Sequence, residues 1–149
     1  MEIKTKYLGT VAYESENVIR FEDGLPGFED EKEYIIILSN DEALPFHYLQ
    51  SLSAEGTSFM ITNPFIFVNP YDFELPEEVV SMLNIQKPSE ISIYSIVTIP
   101  EDLEQTTINL TAPIIVNNTN NKAKQVILHN YPVFKHYIFK TDGKDDDAC

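Results

Sequence analysis

The feature that most constrains the fold is a series of short apolar runs, rich in β-branched and aromatic side chains and separated by turn residues. Runs of this kind are typical of strands in an all-β sandwich or barrel. The clearest is residues 91–99, where period-two alternation places Ile91, Ile93, Val97 and Ile99 on one face, interrupted by Ser95. The sequence therefore predicts an all-β, small single-domain antiparallel β-barrel-like fold with one short helix and long loops.

Two hairpins are predicted from the spacing of these runs. Residues 5–12 and 18–21 are joined by a polar segment, which favours a first hairpin. The Asn-rich cluster 117–121 tolerates left-handed turn conformations, so it predicts a second hairpin that continues into residues 124–129. Residues 131–140 are compatible with a strand or a short helix. The other predicted strands are residues 34–38, 46–51, 59–62, 65–68, 107–111 and 113–117.

One helix is predicted after Pro76. Proline suits the first helical position, and Glu77 and Glu78 complement the positive end of the helix dipole. The apolar stripe that begins at Val79 runs as far as Asn84, where we expect the helix to end.

The length of 149 residues fits one domain with its own core. We expect a domain over residues 1–141 and a disordered acidic tail over residues 142–149, because the tail lacks apolar anchors. No apolar run approaches the roughly 18 residues needed to span a bilayer, and the single cysteine, Cys149, has no partner for a disulfide. A cytoplasmic location is the expectation.

The acidic residues are concentrated in the middle of the chain. The formal net charge is −14, and residues 22–104 carry 17 acidic side chains against two basic ones, Lys32 and Lys87. Such a field repels phosphate, which argues against direct binding of DNA or RNA. Two interpretations stay open: the charge selects a basic protein partner, or it only keeps the surface solvated.

The sequence offers no set of residues for catalysis. His47, His129 and His136 lie at no zinc-like spacing, and no nucleophile sits in a recognisable activating motif. Paired carboxylates are expected by chance in so acidic a chain and are interpreted as solvated faces. We therefore predict no enzymatic activity, no metal and no cofactor.

The segment Gly24-Leu25-Pro26-Gly27 predicts a type II turn, with Pro fixing φ and Gly supplying a positive φ. Phe21 and Phe28 flank this turn, and with Leu25 they are expected to pin it to the core. A structural plug is favoured over a partner-docking loop at this position.

Residues 69–78 set aromatic side chains among carboxylates, between a predicted strand and the predicted helix. Aromatic anchors inside a charged rim are what protein interfaces favour. An equally open interpretation is that Tyr71 and Phe73 cap the barrel while the acids face water. The hypothesis of a docking patch comprises Phe65, Phe67, Tyr71, Asp72, Phe73, Glu74, Glu77 and Glu78.

Five motifs together resemble one known family. The Gly-Leu-Pro-Gly-Phe and Asn-Leu-x-Ala-Pro-Ile elements are specific in combination, and the match covers roughly residues 1–140. The motifs are residues 21–28, 49–51, 59–64, 109–117 and 125–128. In order and spacing they are similar to the flagellar assembly factor family FliW.

This resemblance implies a small β-barrel-like protein without enzymatic activity that acts by partner switching. Members bind CsrA, a small dimeric RNA-binding translational repressor, and they also bind flagellin. Unsecreted flagellin occupies the assembly factor and leaves CsrA free to repress flagellin synthesis, whereas export of flagellin releases the factor to sequester CsrA. The antagonism is non-competitive with RNA, which agrees with the acidic middle of this chain.

A different class of function is a small-molecule-binding barrel with an apolar interior. A strand number too large for side chains to fill the interior would favour that alternative. No residue in the sequence specifies such a ligand.

Overall fold

The computed structural model describes residues 1–6, 8–38, 45–68, 70–129, 131, 133 and 135–139. The acidic tail predicted at residues 142–149 lies outside these residues. In the described part of the chain, one α-helix, α1 (Glu77–Met82), accompanies eleven strands. The strands are β1 (Glu2–Thr5), β2 (Gly9–Ala12), β3 (Ile19–Phe21), β4 (Glu33–Leu38), β5 (Phe46–Ser51), β6 (Ser58–Thr62), β7 (Ile91–Thr98), β8 (Thr107–Ile108), β9 (Ile114–Asn117), β10 (Lys122–Gln125) and β11 (His136–Tyr137).

Seven of these strands close into a barrel in the order β7, β6, β5, β4, β3, β10, β9. The pairing of β7 with β9 closes it, with Ile91 opposite Asn117 and Tyr94 opposite Ile114. The neighbouring strands are antiparallel except β3 and β10, which are parallel. The predicted fold class is therefore confirmed, with one parallel pair that the sequence did not indicate.

Side chains from all seven strands fill the interior of the barrel. Alternate residues of a strand face opposite sides, so each strand contributes one of its faces to this cluster. A barrel of seven strands has an interior that side chains can fill. The strand number is therefore not large enough to favour the alternative of a small-molecule-binding barrel. The buried members are Ile19, Phe21, Leu25, Tyr34, Leu49, Ile61, Ile114, Val116 and Ala123.

A second core lies on the outside of the barrel wall. Strand β7 belongs to both cores, because Ile93 and Val97 pack outward whereas Tyr94 and Ile96 pack against the interior cluster. Helix α1 contributes Val79 and Leu83 to the outer core. Ile99, predicted to share one strand face with Ile93 and Val97, instead follows the end of β7 and is exposed. The outer core positions the segment that carries the predicted docking patch.

The first predicted hairpin is wrong. Strand β1 pairs with β2, with Thr5 opposite Gly9, and β3 pairs instead with β4 and β10. The chain reverses before Gly9, which has a φ of +72°, and the Thr5 hydroxyl donates to the Gly9 carbonyl and accepts from the Leu8 amide. Residues 5–12 therefore divide into the end of one strand and the whole of the next.

The strand predicted at residues 65–68 is also wrong. A 3-10 turn, Pro64–Ile66, occupies this position. The Asn63 side chain accepts a hydrogen bond of 2.9 Å from the Phe65 amide, and proline favours a helical start. Local capping thus overrides the β preference of the aromatic and branched residues that follow.

The predicted helix and the second hairpin are confirmed, although the second strand of the hairpin is Lys122–Gln125 rather than residues 124–129. The hairpin caps the helix. Helix α1 begins one residue after Pro76, and Asn84 has the left-handed φ of +55° that ends it. The buried Asn117 amide donates to the carbonyls of Leu83 at 2.8 Å and Asn84 at 3.2 Å. The turn between β9 and β10 thereby satisfies carbonyl groups at the helix C-terminus.

The predicted type II turn is present. The Phe28 amide donates to the Leu25 carbonyl at 2.7 Å, and Gly27 has a φ of +86°. Phe21 and Leu25 are buried in the interior cluster, whereas Phe28 is 36% exposed and packs edge-on against Phe59. The burial of Phe21 and Leu25 agrees with the interpretation of this turn as a structural plug.

Candidate partner-docking site

A groove of about 790 Å³ lies along the first half of β7 and is lined by residues from both faces of that strand. Its floor contains Ile91 and Ile93, and α1 with the residues after it forms one wall. The opposite wall comes from the segment between β6 and α1. The lining residues are Asn63, Phe65, Tyr71, Asp72, Phe73, Leu75, Val80, Ile85, Gln86, Lys87, Pro88, Ile91, Ser92, Ile93 and Tyr94.

An aromatic row forms the wall opposite the helix. The ring of Tyr71 lies 5.7 Å from that of Phe65 and 5.0 Å from that of Phe73, centroid to centroid. Phe65 is 41% exposed, whereas Tyr71 is 2% exposed and belongs to the outer core. The Tyr71 ring therefore supports the row from beneath, and Phe65 presents apolar surface to solvent.

Tyr71 is held in place by the Asn-Leu-x-Ala-Pro-Ile motif. Its hydroxyl donates to the carbonyl of Leu110, and Tyr131 packs edge-on against its ring at 5.0 Å. The Asn109 side chain accepts from the amides of Thr111 and Ala112, which fixes the backbone on both sides of the motif's turn. Burial, and then the neighbouring Tyr131, raise the pKa of Tyr71 well above its usual value.

Exposed acidic side chains surround the groove. Asp72, Glu74, Glu77 and Glu78 are all exposed, and none of them forms an ion pair with another described residue. The ion pairs between described residues lie elsewhere, where Arg20 of β3 and Lys122 and Lys124 of β10 meet carboxylates. Lys87 is the basic residue that lines the groove, together with Asp72.

The structure brings together part of the predicted patch. Phe65, Tyr71, Asp72 and Phe73 line the groove, whereas Glu74, Glu77 and Glu78 are exposed without lining it. Phe67 lies apart from the lining and packs in the outer core, 6.4 Å from the ring of Phe46.

Sequence reasoning did not assign the floor and the helix wall to this site. Ile91 and Ile93 were recognised as one face of a strand, and Val80 as part of a helical stripe, but the signals did not show that the two elements flank one groove. Lys87 was noted only as a rare basic residue. Another cavity, of about 420 Å³, lies near β2 and β4 and contains none of the eight predicted residues.

The chain is similar to known proteins along most of its length. The family model described as FliW protein matches residues 2–138. The chain belongs to the FliW family. Its relatives include the flagellar assembly factor FliW of Alkaliphilus metalliredigens, 42% identical over 141 residues, covering 94% of this chain and 87% of the relative.

Two further comparisons support this membership of the FliW family. The Thermoanaerobacter pseudethanolicus FliW is 44% identical, with 94% of each chain covered, and that of Bacillus subtilis is 42% identical, covering 87% of this chain and 90% of the relative. A crystal structure of the flagellar assembly factor FliW superimposes with a TM-score of 0.88 at 32% identity, covering 95% of this chain and 99% of that one. The overall fold is thus shared with that FliW structure.

Within the described residues, no helix has the length and hydrophobicity needed to cross a bilayer. The same residues contain no group of three or more His, Cys, Asp or Glu placed to hold a metal ion.

Proposed function

We propose that this protein is a cytoplasmic, non-enzymatic flagellar assembly factor that binds CsrA and flagellin in a partner switch. Membership of a family whose relatives are named flagellar assembly factors supports the assembly role. In this proposal CsrA binding antagonises the repression of flagellin mRNA non-competitively. Flagellin that has not been exported displaces CsrA and restores repression.

The observation that carries the proposal is an apolar groove beside exposed carboxylates. Phe65 offers exposed aromatic surface, Asp72 lines the same groove, and Glu74 is exposed; neither acid forms an ion pair with another described residue. Interfaces favour aromatic anchors near the centre and charged residues at the rim. We therefore retain the predicted patch as the CsrA-docking site, with Tyr71 and Phe67 supporting it from the core.

The distribution of charge supports the non-competitive mechanism. A protein with a formal net charge of −14 that docks beside an RNA-binding surface raises the free energy of bringing phosphate to that surface. The repulsion acts across the complex, so it does not require the assembly factor to occupy the RNA site. Direct binding of this chain to RNA is not part of the proposal.

Calorimetric titration of the full chain into purified CsrA, with and without bound flagellin mRNA leader, tests the proposal. We expect saturable binding near one chain per CsrA subunit, and an RNA affinity that falls to a finite plateau as the concentration of the assembly factor is raised. An RNA affinity that keeps falling in proportion to the added assembly factor would indicate competition instead. Absence of heat with both CsrA and flagellin would refute the proposed function.

Charge reversal at the helix start tests the contribution of the acidic rim. Replacing Glu77 and Glu78 with Lys is expected to slow association with CsrA by about tenfold at low salt and to flatten its salt dependence. The matched control reverses Glu101 and Asp102, which are also adjacent and exposed but do not border the groove. If the two double variants slowed association equally, the cause would be the change in net charge alone. Glu77 and Glu78 would then not belong to the docking site.

A further inference from the structure

We propose that the first half of β7 accepts an extended segment of a partner protein as an additional strand. The unpaired backbone edge at Ile91 and Ile93 supplies the hydrogen bonds, and the groove beside this edge receives alternate side chains of the segment. The inference rests on the proposed function, because it specifies how a partner docks in the same groove. The occupant is a basic segment with apolar residues at alternate positions.

The two edges of β7 are paired to different extents. One edge pairs with β9 over Ile91–Tyr94, whereas the other edge pairs with β6 only at Ser95 and Ile96. Four residues of β7, an extended length of about 13 Å, therefore border the groove with one edge outside the β6 ladder.

The direction of the backbone groups along β7 follows from one hydrogen bond. The Asn118 amide, directly after β9, donates to the Glu90 carbonyl at 2.8 Å. Successive residues of a strand point their amide and carbonyl groups to opposite edges. Ser92 and Tyr94 therefore face β9 as Glu90 does, and Ile93 between them faces the other edge.

Three backbone groups on this edge have no partner among the described residues. Ile91 has the same orientation as Ile93, and its amide donates to the Pro88 carbonyl at the end of a 3-10 turn. Neither the Ile91 carbonyl nor the amide and carbonyl of Ile93 take part in a hydrogen bond between described residues on this side. Backbone groups are strong donors and acceptors, so this edge can bind the backbone of another strand.

Pro64 explains why β6 leaves the edge uncovered. Continuing the pairing of Thr62 with Ser95 would place Pro64 opposite Ile93. Proline has no amide to donate to a neighbouring strand. Its carbonyl instead accepts from the amide that follows the 3-10 turn Pro64–Ile66. Strand β6 therefore ends before it reaches Ile93.

The groove gives an added strand access to this edge. All four residues of Ile91–Tyr94 line it, and their side chains alternate between the two faces of β7. On one face Ile93, Phe73 and Ile85 are partly buried against the outer core and also line the groove. An added strand that places apolar side chains on this face would remove more of that apolar surface from water.

The charges around the groove favour a basic segment. Residues 70–94 contain five acidic residues against one basic residue, Lys87, which gives this region a formal charge of −4. Lys87 and Asp72 both line the groove, so the basic residue offsets only part of the negative charge. Complementary charge speeds the encounter with a partner and suppresses wrong ones. The segment is therefore expected to carry Lys or Arg between its apolar residues.

Amide hydrogen exchange of the full chain, resolved by residue with NMR, tests the added strand with CsrA and with flagellin. In the free chain the Ile93 amide should exchange much faster than the Ser92 and Tyr94 amides, which face β9. Binding of at least one partner should slow exchange at Ile93 by about tenfold or more, with a smaller change at Ser92 and Tyr94.

Three results would overturn the added strand while leaving the proposed function intact. The first is calorimetric binding of a partner with unchanged exchange at Ile93. The second is an equal slowing at Ser92, Ile93 and Tyr94, which indicates stabilisation of the whole sheet. The third is an Ile93 amide that is already protected in the free chain, which indicates that a second copy of this chain covers the edge.

Neutralising one acid of the groove tests the basic character of the segment. Asp72→Asn is expected to weaken binding of the partner that protects Ile93 by about threefold to tenfold. The matched control, Glu101→Gln, also removes one exposed carboxylate but lies outside the groove, and it should change the affinity less than about twofold. Equal effects of the two variants would contradict a basic segment.

If the wild-type chain binds neither CsrA nor flagellin, the proposed function fails and a synthetic peptide tests the edge. The probe is acetyl-Lys-Val-Lys-Val-Lys-Val-Lys-amide, with one variant N-methylated at every valine and another at every lysine. Each set of methyl groups blocks one edge of the extended peptide. We expect the probe to shift the Ile93 amide resonance and only one of the two variants to retain binding. Binding of both variants, of neither variant, or no binding of the probe would refute this inference as well.

Discussion

Replacing Tyr71 with Ala is expected to destabilise the whole domain rather than only its docking surface. The side chain is 2% exposed, packs against the rings of Phe65, Phe73 and Tyr131, and donates a hydrogen bond to the Leu110 carbonyl. Truncating a buried aromatic side chain costs about 3–5 kcal/mol of unfolding free energy. For a domain of this size each kcal/mol corresponds to about 2–4 °C, so the melting temperature should fall by about 6–20 °C.

The conservative variant separates the hydrogen bond from the packing. Tyr71→Phe retains the ring but leaves the buried Leu110 carbonyl without this donor, which costs about 1–3 kcal/mol. Thermal and urea denaturation monitored by circular dichroism measure both variants. The control is Tyr137→Ala, because Tyr137 is 50% exposed and its loss should cost less than about 0.5 kcal/mol. A Tyr71→Ala protein as stable as the Tyr137→Ala protein would refute the placement of Tyr71 in the core.

Three further predictions follow from buried groups. Gly24→Ala should lower the free energy of unfolding by at least about 2 kcal/mol, measured by urea denaturation. A Cβ at this position would lie 2.6 Å from the Glu29 Cα, and Gly24 has a φ of +67°. A loss below about 0.5 kcal/mol would contradict this close approach. Asn117→Ala should cost about 1–3 kcal/mol, since it removes one of the two side-chain donors to the Leu83 carbonyl and the donor to the Asn84 carbonyl. Increased amide hydrogen exchange at the end of α1 would locate the effect. Burial raises the pKa of Tyr34 to about 12, so the phenol loses its proton at lower pH in the unfolded chain than in the folded one. The free energy of unfolding should therefore be unaffected by this group below about pH 10 and should fall between about pH 10 and 12. Tyr34→Phe should reduce the slope of unfolding free energy against pH in that range by up to about 1.4 kcal/mol per pH unit. An unchanged slope in Tyr34→Phe would contradict this assignment.

The regular parts of the fold were predictable because local signals agreed with the tertiary structure. In β7, alternation identified the strand correctly, and its two faces pack into two different cores. The turn at Gly27 and the helix ending at Asn84 were predictable for a related reason, since each needs a positive φ that few residues adopt.

Other features depend on contacts that no local pattern contains. The pairing of β1 with β2 follows from a reversal before Gly9, inside a run that alternation alone presents as one strand. The parallel pairing of β3 with β10 joins segments about 100 residues apart. The burial of Tyr71 requires the Leu110 carbonyl as its hydrogen-bond acceptor, 39 residues further along the chain.

The candidate site was predictable only in its wall. Aromatic residues among carboxylates identified residues 69–78, because the alternation of Tyr71, Asp72 and Phe73 is visible in the sequence. The groove itself exists because α1 packs beside β7, and Val80, Lys87 and Ile93 meet there only after folding. The ion pairs were not predictable for the same reason, because the barrel brings the carboxylate partners close to Arg20, Lys122 and Lys124 only after folding.

The partner switch is tested most directly by titrating CsrA into the full chain in the calorimeter, first with the free chain and then with flagellin already bound. Saturable binding by the free chain that is lost when flagellin is present is the predicted result. CsrA binding of unchanged affinity in the presence of saturating flagellin would contradict the switch, because the two partners would then occupy independent sites.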